Sequence, residues 1–309
     1  MPTTALLAST GVVHVDQALR ECVGLIEQYL PGRVRGYYLV GSYAYGEALP
    51  ASDVDMIVLL KGEPAQADRD QFVAARGQCR RRIQLPLDLI LEGEARLLRV
   101  GGVWFQTASL LLYGEDVRPR VPRKPVANHI SDLMHAVFPL LARVRGNRLP
   151  LRVPIDYPTP DGPLYGYDSR HAVGHEAHPA ATKDLVTNVL TAANALTLRA
   201  ARQYVGSGKK SDIPRQYAIW VGDEWATLVD EVFMFCRLRW GYGLPQSLAE
   251  REHLRDLCRQ TLGFENAFLE RYRGMLLADL RSDDAPVRLA ASRRLTQLIY
   301  PDLQPKGSA

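Results

Sequence analysis

Apolar residues recur at helical spacing from about Asp16 to Leu30, with Leu19, Val23, Ile26 and Leu30 on one face, and Pro31-Gly32 ends the run. A shorter period follows. Tyr37 to Val40 reads as a strand entering a Gly41-Ser42 turn, Val54 to Leu60 as a second strand, and about Gln84 to Leu91 as a third. A polar, helix-compatible segment, Ala65 to Arg82, separates the last two. Trp104 to Leu112 is expected to be helical, with Tyr113-Gly114-Glu115-Asp116-Val117 closing the region as a turn. This order predicts an α+β unit of roughly 120 residues. Pro119, Pro122 and Pro125 mark a linker after it.

Beyond the linker the pattern is helical. His129 to Val144 and Lys183 to Val205 carry helical patterns, and Trp225, Leu228, Val229, Val232, Phe233 and Cys236 step along one helix face. Further helices are expected over about Leu248 to Leu262, Glu265 to Leu280 and Pro286 to Ile299. The expected organisation is therefore an N-terminal α+β domain over residues 1–122 and an all-helical domain over 123–309. The proline-rich stretch 147–182 inside the second is expected to be a lid or a disordered segment.

Composition narrows the class. The chain has 309 residues, 47% hydrophobic and 23% charged, which is ordinary for a globular protein. No apolar run approaches the roughly 20 residues of a membrane helix. The N-terminus lacks a basic region before its weakly apolar stretch, so a cytoplasmic location without membrane association is expected. Cys22, Cys79, Cys236 and Cys258 stand too far apart for a CxxC site and are expected to be buried free thiols. A net charge of +4 fits a polyphosphate or nucleic-acid partner, while Arg80-Arg81-Arg82 and the 118–124 basic cluster are expected on a solvated face.

The chemistry concentrates between residues 41 and 60. Side chains alternate along a strand, so Asp53 and Asp55 share a face while Met56, Val58 and Leu60 enter a core. Two adjacent carboxylates repel each other, and the economical compensation is Mg²⁺, a hard ion that takes carboxylate and phosphate oxygens. Two such ions about 3.5–4 Å apart clamp the attacking hydroxyl and the leaving pyrophosphate of an in-line displacement. Asp88, set in the apolar run Leu85 to Leu91, supplies a third acid, either as a metal ligand or as general base on the acceptor hydroxyl. A glycine after a strand lets the backbone approach phosphate closely, and Gly41-Ser42 offers amides and a hydroxyl to it.

Gly-Ser, ten residues, Asp-x-Asp and an apolar strand together resemble the nucleotidyltransferase signature of the DNA polymerase β superfamily. That resemblance implies a mixed sheet with helices in the first domain. It assigns Gly41 and Ser42 to the triphosphate, and Asp53, Asp55 and Asp88 to the metal. Tyr113-Gly114-Glu115-Asp116, and Gly208-Lys209-Lys210-Ser211-Asp212 leading to Tyr217, Ala218, Glu224 and Trp225, are similar to segments of the aminoglycoside adenylyltransferases. In those enzymes a lysine just before a helix reaches the nucleotide phosphates, which points to Lys209 or Lys210. The resemblance implies Mg²⁺-dependent transfer of a nucleoside monophosphate, AMP from ATP, to a hydroxyl of a small aminoglycoside-like acceptor. Addition to RNA or to a protein hydroxyl, and a non-catalytic nucleotide-binding module, are the alternatives.

Two weaker patterns remain. Gly206 to Ser211 imitates a P-loop, yet it lacks the first glycine, has Lys210 where Ser or Thr belongs, and follows a helix. A turn between helices and a phosphate-contacting lysine turn both stay open. His171, His175 and His178 have zinc-like spacing without a nearby cysteine, and acceptor contact from a lid is the preferred role. Tyr43 and Tyr45, beside the glycine turn, are expected either to stack on the nucleotide or to pack in the core.

Overall fold

The computed structural model describes residues 5–168, 182–206 and 208–300. It resolves into two units. One runs through Pro125, and Gly208 and Lys209 group with it; the other begins at Val126 and takes the remaining described residues.

In the first unit the elements follow as α1 (Val13–Tyr29), β1 (Val34–Val40), α2 (Gly41–Tyr45), β2 (Val54–Leu60), α3 (Gln66–Arg82), β3 (Leu87–Gly93), α4 (Glu94–Val100), α5 (Val103–Thr107) and β4 (Leu110–Gly114). The strands form one mixed sheet in the order β3-β2-β1-β4. β1 is antiparallel to both β2 and β4, while β2 and β3 run parallel.

The helices sort to the two faces as alternation requires. Tyr37 and Leu39 of β1, Val54, Met56, Val58 and Leu60 of β2, and Leu87 and Leu89 of β3 pack with α1 and α3. Tyr38, Val40, Ile57 and Leu59 point the other way and are covered by Leu97, Phe105, Val117 and Val121. α3 is anchored at its start by Asp68, which accepts from the Ala65 amide at 2.9 Å and from both prongs of the Arg33 guanidinium at 2.9 and 2.7 Å. The Arg33 bond holds the Asp68 carboxyl down at about 2.

Where Trp104 to Leu112 was expected to be one helix, the structure has the short α5 and then β4. A short apolar run carries no decisive period. Pairing with β1 decides it, through Tyr37↔Tyr113 and Leu39↔Leu110. The arginines after β4 lie on a solvated face, as expected, and also pair there. Arg118 bonds Asp116 at 2.7 Å and the Ser109 carbonyl at 2.7 Å, and Arg120 lies 3.1 Å from the buried Glu94.

The second unit contains α6 (Val126–Arg143), β5 (Leu151–Arg152), α7 (Lys183–Ala201), α8 (Ile213–Trp220), α9 (Ala226–Glu231), a π-helical stretch Val232–Arg239, α10 (Leu248–Asp279), α11 (Ala285–Leu295) and β6 (Leu298–Ile299). α7, buried along most of its length, packs against α6, α8 and α10. A break was expected near residue 263, but α10 runs unbroken for 32 residues. Gly263 serves packing here: a Cβ on it would come within 2.7 Å of the Trp225 ring. The stretch after α6 is not loose through Asp168. β5 pairs with β6, and the Ile155 backbone exchanges hydrogen bonds of 2.7 and 3.1 Å with Asn266. His171, His175 and His178 lie outside the described residues. Among the described residues no helix is long and apolar enough to cross a membrane.

Candidate active site at the sheet end

Antiparallel β1–β2 pairing combined with parallel β2–β3 pairing brings the end of β1 and the starts of β2 and β3 to one edge of the sheet. Val40, Asp55 and Asp88 stand in register across those three strands, as Val40↔Asp55 and Asp55↔Asp88. Residues in register share a face. It is the face of Ile57 and Leu59, which α4 and α5 cover farther along, so the acids sit where that covering stops. Asp53 precedes β2 by one residue. Ser52 is buried beside it, its amide donating to the Leu49 carbonyl at 2.8 Å and its hydroxyl accepting from the Leu49 amide at 2.9 Å. That reciprocal pair closes the 46–52 loop and fixes where Asp53 emerges. Chain pattern alone did not single it out, because Ser in a turn is common chemistry.

Gly41 begins α2 instead of a simple turn. Its φ of +69° is a conformation that an L side chain rarely adopts. A Cβ there would overlap the Asp55 carboxylate. Glycine thus lets the start of α2 lie directly against the second acid, with Ser42 next in line. α2 ends at Gly46 in the left-handed region, where the Glu47 amide donates to the Ser42 carbonyl at 2.9 Å. Tyr43 packs on the sheet core; burial, and then the Asp53 charge, push its hydroxyl up. Of its two readings, core packing therefore describes Tyr43. Tyr45 is half-buried, its hydroxyl pushed up by burial, and a Cβ on Gly208 would lie 2.7 Å from it.

The two candidate lysines part company. Lys209 groups with the first unit and Lys210 with the second, where it opens a 3-10 turn over Lys210–Asp212 ahead of α8. The Gly206 to Ser211 stretch follows α7 and precedes α8, so it is a connection between helices and lacks the strand of a P-loop.

Among the described residues no three His, Cys, Asp or Glu side chains converge as a ready metal cluster. Register nevertheless puts two carboxylates on neighbouring parallel strands, about 4.8 Å apart at the backbone. A common ion is then reached by rotamer choice without moving the sheet. Carboxylates are the donors that a hard divalent cation takes, and Asp55, against Gly41, with Asp88 in register beside it, offers two of them.

Exchanging Gly41 for alanine tests this packing. Gly41→Ala is expected to cost about 1–2 kcal/mol through the positive φ. It should also lower nucleotidyl transfer about a hundredfold by displacing Asp55. Urea midpoints and initial transfer rates measure the two effects, and unaltered transfer would show that the close approach is not used.

Residues 19–105 match the family model of a nucleotidyltransferase domain, a span that holds Gly41, Ser42, Asp53, Asp55 and Asp88. No curated protein matches the chain. Among solved structures, a putative nucleotidyltransferase from Sulfolobus solfataricus is 21% identical with a TM-score of 0.26, covering 35% of this chain and 90% of its own. The spectinomycin adenyltransferase AAD(9) from Enterococcus faecialis, solved with ATP and spectinomycin, is 10% identical with a TM-score of 0.42, covering 91% of this chain and 98% of its own. At such scores neither structure bears on the site. The domain match bears out the nucleotidyltransferase resemblance, and with it the reading of the chain as an enzyme of that class.

Proposed function

We propose, from the premise that this chain is a nucleotidyltransferase, that it transfers AMP from ATP to a hydroxyl of a small aminoglycoside-like molecule, with pyrophosphate leaving. The observation carrying the chemistry is the in-register pair Asp55↔Asp88, with Gly41 packed on Asp55. The acceptor class rests on the similarity of the 113–116 and 208–225 segments to aminoglycoside adenylyltransferases.

Asp53, Asp55 and Asp88 would hold two Mg²⁺ ions. When bound, these neutralise triphosphate charge and make the acceptor hydroxyl more acidic. The Gly41 and Ser42 amides and the Ser42 hydroxyl donate to the leaving phosphates, where negative charge accumulates. Lys209, grouped with the same unit, adds a cation for those oxygens. Asp88, exposed where Asp55 is half-buried, serves either as a metal ligand or as the general base that takes the hydroxyl proton.

A screen with labelled ATP and Mg²⁺ against an aminoglycoside panel, tRNA and the protein itself tests the reading. Label on an aminoglycoside, with equimolar pyrophosphate, is expected. Label on tRNA or on the chain would move the activity to the alternative acceptors. Release of no pyrophosphate with any acceptor would sink the enzyme assignment.

A further inference from the structure

The four cysteines are all buried, but they are not equivalent. Cys22 lies in the middle of α1 and Cys79 in the last turn of α3, 57 positions later. Their sulfurs approach to 3.4 Å across the interface of the two helices that cover the sheet face opposite the acids. A disulfide needs about 2.05 Å, so roughly 1.4 Å of closure separates this thiol pair from a bond. Side-chain rotation supplies movement of that size. The Cys22 thiol donates to Cys79, which lowers the Cys79 thiol, while the same bond and burial raise that of Cys22. Arg80, Arg81 and Arg82 follow directly and end the helix. Cys79 is thus the more acidic thiol of the pair, in the last turn of α3. Cys236, in the second unit, has its thiol pushed up to about 12 by burial, with no neighbouring thiol lowering it.

We propose that Cys22 and Cys79 are a redox pair that a hydroperoxide converts to an α1–α3 disulfide. The Cys79 thiolate attacks the peroxide, the O–O bond breaks, and Cys79 becomes a sulfenic acid while an alcohol or water leaves. The Cys22 sulfur then attacks the Cys79 sulfur, the S–O bond breaks, and water carries away the oxygen with the Cys22 proton. Two thiols lose two electrons and one hydroperoxide gains them. The product ties together helices 57 positions apart in the chain and restricts the unfolded state, so it stabilises the fold.

The test treats the folded full-length chain with hydrogen peroxide, then alkylates, digests and maps the peptides by mass. A Cys22–Cys79 linked peptide, two hydrogens lighter than the separate thiol peptides and reversed by dithiothreitol, is expected. Cys236 should stay alkylatable after unfolding. The oxidised protein should melt several degrees higher, and Cys22→Ser should leave Cys79 unlinked. Quantitative alkylation of both Cys22 and Cys79 after peroxide would overturn the proposal, and so would linkage that forms only when urea is present. The peptide map is made on the unaltered chain, so a variant that fails to fold does not change what it reads.

Discussion

Asp55→Asn is expected to lower nucleotidyl transfer at least about a thousandfold, roughly 4 kcal/mol of lost transition-state stabilisation. Asparagine keeps the shape that packs on Gly41 but removes the negative charge. It also leaves Asp88 without its in-register anionic partner. The effect on folding should be opposite in sign or absent. Asp55 and Asp88 carry like charges in register on neighbouring strands, so removing one is not expected to destabilise the metal-free protein. The thermal midpoint measured in chelator should therefore stay level or rise while the transfer rate collapses. Transfer within tenfold of the parent would remove Asp55 from the catalytic set. A collapse of rate and melt together would make its role structural.

The second large effect is expected in the helical unit. Glu265 of α10 is 2% exposed and joins four segments. It accepts from Arg145 after α6 at 2.6 Å, from the Tyr167 hydroxyl at 2.8 Å and from Asn188 of α7 at 3.4 Å. The Arg145 side chain is itself only 10% exposed. Replacing Glu265 by alanine strands that guanidinium in a region of low dielectric, and breaking a buried pair in this way costs about 3–5 kcal/mol. The helical unit should melt roughly 10 °C lower. Trp220, Trp225 and Trp240 stand in that unit and report its unfolding by fluorescence. Arg145→Met in the Glu265→Ala background should restore part of the loss, since an apolar pair avoids the stranded charge. A single-variant loss under about 1 kcal/mol would mean that water reaches Arg145 and the network is no keystone.

Much of the local structure was legible in the chain. β2 spans the strand read from its apolar run, and the alternation of Met56, Val58 and Leu60 against Asp55 holds in the packed sheet. α1 arises where helical spacing and its Pro31-Gly32 stop put it, and α3 and α7 start within a residue of the expected segments. The nucleotidyltransferase character followed from Gly41-Ser42 and Asp53-x-Asp55, because a close-approach glycine and paired acids are local features with local chemistry.

What stayed hidden depends on partners distant in the chain. The 110–114 run became a strand because β1 offered an edge to pair with, which no window of a few residues records. The expected helices 248–262 and 265–280 form one continuous α10, with Gly263 lying against the Trp225 ring from a separate segment. The arginines at 118 and 120 are surface charge, as read, but the partner Glu94 that Arg120 finds comes from a separate helix. At the site, the sequence by itself determined which side chains are available and on which face of each strand they stand, since alternation is a property of one backbone. The tertiary structure alone decided that Asp88 stands opposite Asp55 and that Gly41 closes on it. Register is chosen by the burial of two whole sheet faces at once, and no single strand carries that information.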